Sequence, residues 1–212
     1  MKRIQKKLIS TILSLVVCIS LVGCSFGFDA SAYVNSYLDA LTKGDVSEYA
    51  KITQTSEEDI INAYNEGIET ELSALDAFNL SETQKDNFRT LFKDIYSKFQ
   101  YEVGEATKNS DGSYTVPVTT KKLIVFDTII EDSQNYIMDY AKSNPSASQT
   151  DLYGAICDFM YTELSENIEN PQYGEEQVIN VQVTKTEDNK YTLSDKEIQN
   201  LIYSLMDTEN MQ

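Results

Sequence analysis

The order of hydrophobic periods predicts an α+β fold, an antiparallel sheet packed against helices. Two observations carry this. Helical spacing dominates residues 29–99 and 128–168, while period-two alternation is confined to residues 101–126 and 178–193. Helices and strands are therefore segregated along the chain rather than alternating. Each alternating stretch also folds back through a short polar turn, which favours antiparallel pairing.

The elements follow in order. Asp29 is placed to cap a helix whose apolar positions are Tyr33, Val34, Tyr37, Leu38 and Leu41, with Gly44 as its stop. Asp45 and Glu48 read as a capping pair for a short helix through Val46, Tyr49 and Ile52. A box at Thr55-Ser56-Glu57-Glu58 starts a long helix carrying Ile60, Ile61, Tyr64, Ile68, Leu72, Leu75 and Phe78. Ser81-Glu82-Thr83-Gln84 starts the next, with Phe88, Leu91, Phe92, Ile95, Tyr96 and Phe99 as its stripe. These two form a helical hairpin broken at Asn79-Leu80.

Strands are expected over 101–107 and 113–126, joined by the turn Lys108-Asn109-Ser110-Asp111-Gly112. Pro117 cannot donate to a ladder, so it belongs at a bulge or on an edge-facing position. Helices return from Thr128 to about Lys142 and, after a Ser148-Gln149-Thr150-Asp151 cap, to about Ile168. Asn170 to Gly174 reads as a loop. In the last hairpin Val178, Asn180, Gln182 and Thr184 face one way and Ile179, Val181 and Val183 the other. Ser194 caps a final helix with Ile198, Leu201, Ile202, Leu205 and Met206.

The phrase Tyr37-Leu38-Asp39-Ala40-Leu41-Thr42-Lys43-Gly44-Asp45 resembles the first helix of NTF2-like (cystatin-like) domains, and residues 178–193, with Tyr191-Thr192-Leu193, resemble their last two strands. The whole chain is similar to small Gram-positive lipoproteins of unknown function that carry such domains. The resemblance implies a curved sheet wrapped on a long helix, often with a pocket at its wide end. Residues 56–99 and 128–168 supply more helix than that domain needs, so extra helices are expected to fill or cover the pocket. The matching phrases are structural, and no catalytic residue carries over.

The N-terminus has the layout of an export signal. Lys2, Arg3, Lys6 and Lys7 precede an uncharged, largely apolar run of 15 residues, Leu8 to Val22, and Gly23 leads into Cys24. Such a run is shorter than the roughly 20 residues that span a bilayer, which disfavours an uncleaved anchor. Leu21-Val22-Gly23-Cys24 resembles the bacterial lipobox, whose cysteine is acylated as the bond before it is cut. The expected organisation is a lipoprotein signal peptide over 1–23, a lipidated tether over 24–28, one α+β domain over 29–207 and a tail over 208–212. The expected address is the extracellular face of the cell membrane, held by lipid on Cys24.

Charge narrows the partners. The chain has 17 basic and 34 acidic residues, net −17, and losing the four basic residues of the signal leaves −21. So acidic a chain does not suit nucleic acid or direct adsorption to anionic headgroups. The expected partners are the bilayer, through acylated Cys24, and an extracellular protein or small ligand; homodimerisation is left open. Cys18 leaves with the signal and Cys24 carries lipid, so Cys157 has no disulfide partner. It sits among Leu152, Ile156, Phe159 and Met160 and reads as a buried structural thiol.

The sequence contains no His, which removes imidazole bases, His-dependent nucleophiles and His-based zinc sites. It has no Gly-rich phosphate loop, and no cofactor or metal is expected. Asp127 and Glu131 form the nearest carboxylate pair, better explained as a helix cap and a first-turn acid. Asp111, in an Asp-Gly turn, lacks the rest of a calcium loop. Tyrosine is abundant, at 14 with no Trp. Tyr33, Tyr37, Tyr136 and Tyr140, spaced i,i+4 on helices, are weak ligand-binding candidates, against the plainer reading that they are core. The expectation is a non-enzymatic binding module. The alternative is a carboxylate-based hydrolase of cell-wall glycan.

Overall fold

The computed structural model describes residues 27–187 and 189–207. The signal segment, Cys24 and the expected tail lie outside them. The described residues form seven α-helices, a 3-10 turn and a five-stranded antiparallel sheet.

Helix α1 (Ala30–Lys43) begins where Asp29 accepts from the Ala32 N–H at 2.9 Å and stops at Gly44, whose φ is 68°. Helix α2 (Ser47–Thr53) corrects the expected Asp45–Glu48 pair. Its N-cap position is Val46, with no side-chain cap bond, and Asp45 instead accepts from the Ser47 hydroxyl at 3.1 Å. In α3 (Glu57–Ser73) the cap is Ser56, one residue later than Thr55, accepting from the Asp59 N–H. This helix is shorter than its apolar spacing suggests. A 3-10 turn (Asp76–Phe78) carries Phe78, and Asn79 turns the chain at φ 51°. Helix α4 (Glu82–Ser97) has the reciprocal Ser81–Gln84 box. Helix α5 (Ile129–Ser143) has Thr128 at its N-cap position, so Asp127 is not the cap, while Glu131 does lie in the first turn. Helix α6 (Gln149–Glu169) starts on the Ser148–Asp151 box and α7 (Asp195–Leu205) on Ser194.

The strands are β1 (Gln100–Val103), β2 (Thr107–Lys108), β3 (Tyr114–Ile124), β4 (Gln172–Lys185) and β5 (Tyr191–Leu193). The order is β1–β3–β4–β5, with β2 continuing the β1 side of β3. Both expected hairpins therefore join one sheet through the β3–β4 pair. Strand β4 starts at Gln172, inside the stretch expected to be loop, because Gln172 and Tyr173 pair with Ile124 and Leu123.

One face of the sheet is buried: Val116, Val118, Val181 and Val183 lie there under α1 and α7. Gln177 on this side donates to the Ser204 carbonyl of α7 at 3.2 Å. The other face presents Thr115, Pro117, Thr119 and Lys121 beside Gln182, Asn180, Val178 and Glu176, all exposed or half-buried. Helices α3 and α4 form a hairpin, α6 packs on α4, and α5 packs on α6.

Pro117 lies in a central strand, at the break between β1 and β2. Across an antiparallel pair, opposite residues exchange N–H···O bonds on the same side. The Gly104 N–H donates to the Pro117 carbonyl at 2.8 Å, so the donor that proline lacks would have faced the Gly104 carbonyl. The Ser31 hydroxyl of α1 fills that place, donating to the Gly104 carbonyl at 2.8 Å and accepting from the Ala106 N–H at 2.9 Å. A Cβ on Gly104 would lie 2.9 Å from Pro117 Cγ and 3.3 Å from its carbonyl oxygen, so glycine is required there. Ser31→Ala leaves two part-buried backbone groups without this partner and is expected to cost about 1–3 kcal/mol. A lowered urea midpoint with an unchanged m-value is the expected reading.

Candidate functional site

Alternation along β1, β3 and β4 sets a polar groove of about 160 Å³ into the sheet, lined by Gln100, Tyr101, Glu102, Thr119, Thr120, Lys121 and Glu176. Strand register places it: Gln100 sits opposite Lys121, Glu102 opposite Thr119, and Lys121 opposite Glu176. Thr120 is buried, and its hydroxyl has no hydrogen-bond partner among the described residues. Lys121 Nζ lies 3.8 Å from Glu176 Oε2, a solvent-facing pair that contributes little to stability. On the open face the lining offers the Lys121 ammonium, two carboxylates, the Thr119 hydroxyl and the Gln100 amide, chemistry suited to a small polar group.

On the opposite face of β1, Tyr101 ties the sheet to α1. Its hydroxyl donates to Asp39 Oδ1 at 2.7 Å and lies 3.1 Å from the Thr42 hydroxyl. Lys43 Nζ donates to the same Asp39 oxygen at 2.5 Å and stands 5.1 Å from the Tyr101 ring centroid. Partial burial pushes the Asp39 carboxyl up, but hydrogen bonds from Lys43, Tyr101 and Asn35 outweigh it and hold the acid below its ordinary range. Burial raises the Tyr101 phenol, so it stays a neutral donor. The cluster lies on the helix-covered face and ties β1 to α1.

Glu102 and Glu176 are the carboxylates nearest to what glycoside hydrolysis would use. They flank β3 two strand spacings apart and two residues out of register, about 12 Å between backbones. That is at or beyond the wide end of the range for such pairs. Both are exposed, and Glu176 faces Lys121. Asp127 and Glu131 do not line the groove.

The tyrosine candidates fall in two settings. Tyr33 and Tyr37 are each 2 % exposed, packed on Tyr49 at centroid distances of 5.8 Å. Tyr136 and Tyr140 are half-buried on α5, with Tyr136 stacked on Phe159 of α6 at 4.4 Å. None of the four lines the groove. Lys121, Thr119 and Glu176 escaped the sequence reading because outward polar residues on a strand are the default. The one available signal was Thr-Thr-Lys-Lys at 119–122 beside an otherwise apolar run.

Two buried titratable groups lie elsewhere. Cys157 is fully buried, and desolvation, aided by Asp158, pushes its thiol up to about 12. A thiol reagent at neutral pH is expected to label it slowly in the folded protein and rapidly after denaturation. Fast native labelling would contradict this. Glu71 of α3 is 0 % exposed; it accepts a hydrogen bond from the Tyr96 hydroxyl, and its second oxygen has no partner among the described residues. Its signal was positional, since Glu71 is three residues after Ile68 on the inward stripe.

No family model and no curated protein matches the sequence. A crystal structure of the Bacillus subtilis protein ycdA, assigned to the lipoproteins, shares the fold at a TM-score of 0.58 and 22% identity. The match covers 85% of this chain and 57% of that one, so the chain spans little more than half the length of its structural neighbour.

Proposed function

We propose that this chain is a lipid-anchored lipoprotein on the extracellular face of the cell membrane, acting as a non-enzymatic binding module. The observation that carries the reading is the spacing between anchor and fold: Cys24, at the end of Leu21-Val22-Gly23, stands five residues before Asp29, which caps α1. Acylation there would hold the domain close against the bilayer. The assignment of ycdA to the lipoproteins supports the same address. The binding face we assign is the uncovered side of the sheet, centred on Thr119, Lys121 and Glu176. We also infer an NTF2-like arrangement, supported by the Gly44 stop of α1 and by a sheet with one face under helices. Helix α7 lies on the side where that arrangement carries its pocket, which favours an occupied interior and an outward-facing site.

A photo-crosslinker at Thr119 in cells making the full chain tests the binding reading. One discrete adduct that is lost on Lys121→Glu would support it. Wall-glycan cleavage by the purified chain, abolished in both Glu102→Gln and Glu176→Gln, would replace it with the hydrolase reading.

A further inference from the structure

We propose that the open edge of β4 pairs with the same edge of a second copy, about a two-fold axis through Val178. The backbone identifies the edge. The Gln182 N–H points away from β3, to Glu197 Oε2 at 3.0 Å, and the Thr186 N–H points the same way, to the Lys190 carbonyl at 2.7 Å. By alternation the N–H and C=O groups of Asn180, Val178 and Glu176 point outward too. Strand β5 pairs β4 only over Val183, Thr184 and Lys185, and no described residue meets the outward groups of Glu176, Val178 and Asn180. Glu197 closes one end of the open stretch, and the register shift opposite Lys121 and Leu123 closes the other.

Between Glu176 and Asn180 the edge carries no charge, lysine or proline. Natural edges are protected by lysine, proline or inward charge. Here residues 176–180 are Glu-Gln-Val-Ile-Asn, and Val178 is 61 % exposed, the highest value among the exposed large hydrophobics. Tyr203, 46 % exposed, lies on α7 one residue before Ser204, whose carbonyl holds Gln177.

Side chains favour a copy of this chain and set the register. Centred on Val178, an antiparallel pair sets Val178 against Val178, and Glu176 against Asn180 in both directions, so each exposed valine covers the other and no like charges face. Centring on Glu176 would oppose two carboxylates, which destabilises a cross-strand pair. Centring on Asn180 would bring Gln182, already held by Glu197, against Val178. The paired stretch is short and buries less than the roughly 1,200 Å² of a stable complex, so the dimer is weak and concentration-dependent. This inference stands independently of the lipid anchor.

The test uses the full chain carrying Val178→Cys, oxidised mildly in the cells that make it and run without reductant. In this register the two Cα atoms lie about 5.5 Å apart, within disulfide reach. Dimer is expected at roughly ten times the yield of Met138→Cys, a comparably exposed position on α5, given the geometric demands of a disulfide. Adding Asn180→Pro removes an N–H that only a partner strand would use, so it should return the yield to the Met138→Cys level while the circular dichroism spectrum is unchanged. Equal yields at positions 178 and 138, a chain that stays monomeric, a proline-insensitive dimer, or an adduct to a different protein would each overturn the proposal.

Discussion

Glu71→Gln is expected to abolish most of a pH dependence that costs the wild type several kcal/mol between mild acid and mild alkali. Burial pushes the Glu71 carboxyl from 4.5 up to about 8; the Tyr96 hydrogen bond opposes this and does not win. The groups around it do not supply a positive charge. Tyr96 is buried and its phenol raised by burial and by Glu71, and Tyr64, pushed to about 12 by its own burial, also feels Glu71 and Asp94. The unfolded chain ionises Glu71 near its ordinary value, while the folded chain keeps it protonated. Stability from this group is therefore complete below about pH 4.5 and is lost as pH rises through about 8. At about 1.4 kcal/mol per unit the whole change is about 5 kcal/mol. Urea midpoints at several pH values, wild type minus Glu71→Gln, isolate it from the other carboxylates. A difference that is flat with pH would contradict the buried, protonated assignment.

The second large effect belongs to Tyr33. Tyr33→Ala is expected to cost about 3–5 kcal/mol, the usual loss for a large aromatic removed from a core. Its ring contacts Phe28 at a centroid distance of 5.7 Å and Tyr49 at 5.8 Å, joining the chain before α1 to α2. Phe28 in turn stacks on Tyr191 of β5 at 4.1 Å, so one aromatic string ties α1, α2 and the sheet. Tyr136→Ala, at a half-buried site against Phe159, is expected to cost clearly less. Thermal or urea unfolding of the two variants side by side separates the cases. Equal losses would mean that α5 and α6 are held as tightly as the core.

Much of this fold was legible because its helix starts carry local chemistry. Ser81, Ser148 and Ser194 cap where their spacing to Gln84, Asp151 and Glu197 predicts. The failures are places where tertiary contact outweighs local signal. Asp45 and Asp127 are good caps by composition, yet Val46 and Thr128 occupy the cap positions. Residues 172–174, Gln-Tyr-Gly, look like loop and extend β4 because β3 offers Gln172 and Tyr173 a ladder. The Ser31 hydroxyl serving the carbonyl across from Pro117 joins positions 73 residues apart, a relation no local pattern reveals. The groove is assembled the same way, from single polar residues on β1, β3 and β4 that look ordinary in each strand alone.

The anchor is the centre of the functional account, and the most direct test is the chemistry of Cys24. Cells fed an alkynyl fatty acid and making either the wild type or Cys24→Ala should show label on the wild type alone. The N-terminal peptide of the labelled protein should begin at Cys24 and carry at least two acyl chains, because one chain alone holds a protein only marginally. Cys24→Ala should accumulate as the uncut precursor or leave the membrane fraction. Equal label on both proteins, or a membrane-bound wild type whose Cys24 is unmodified, would contradict the account.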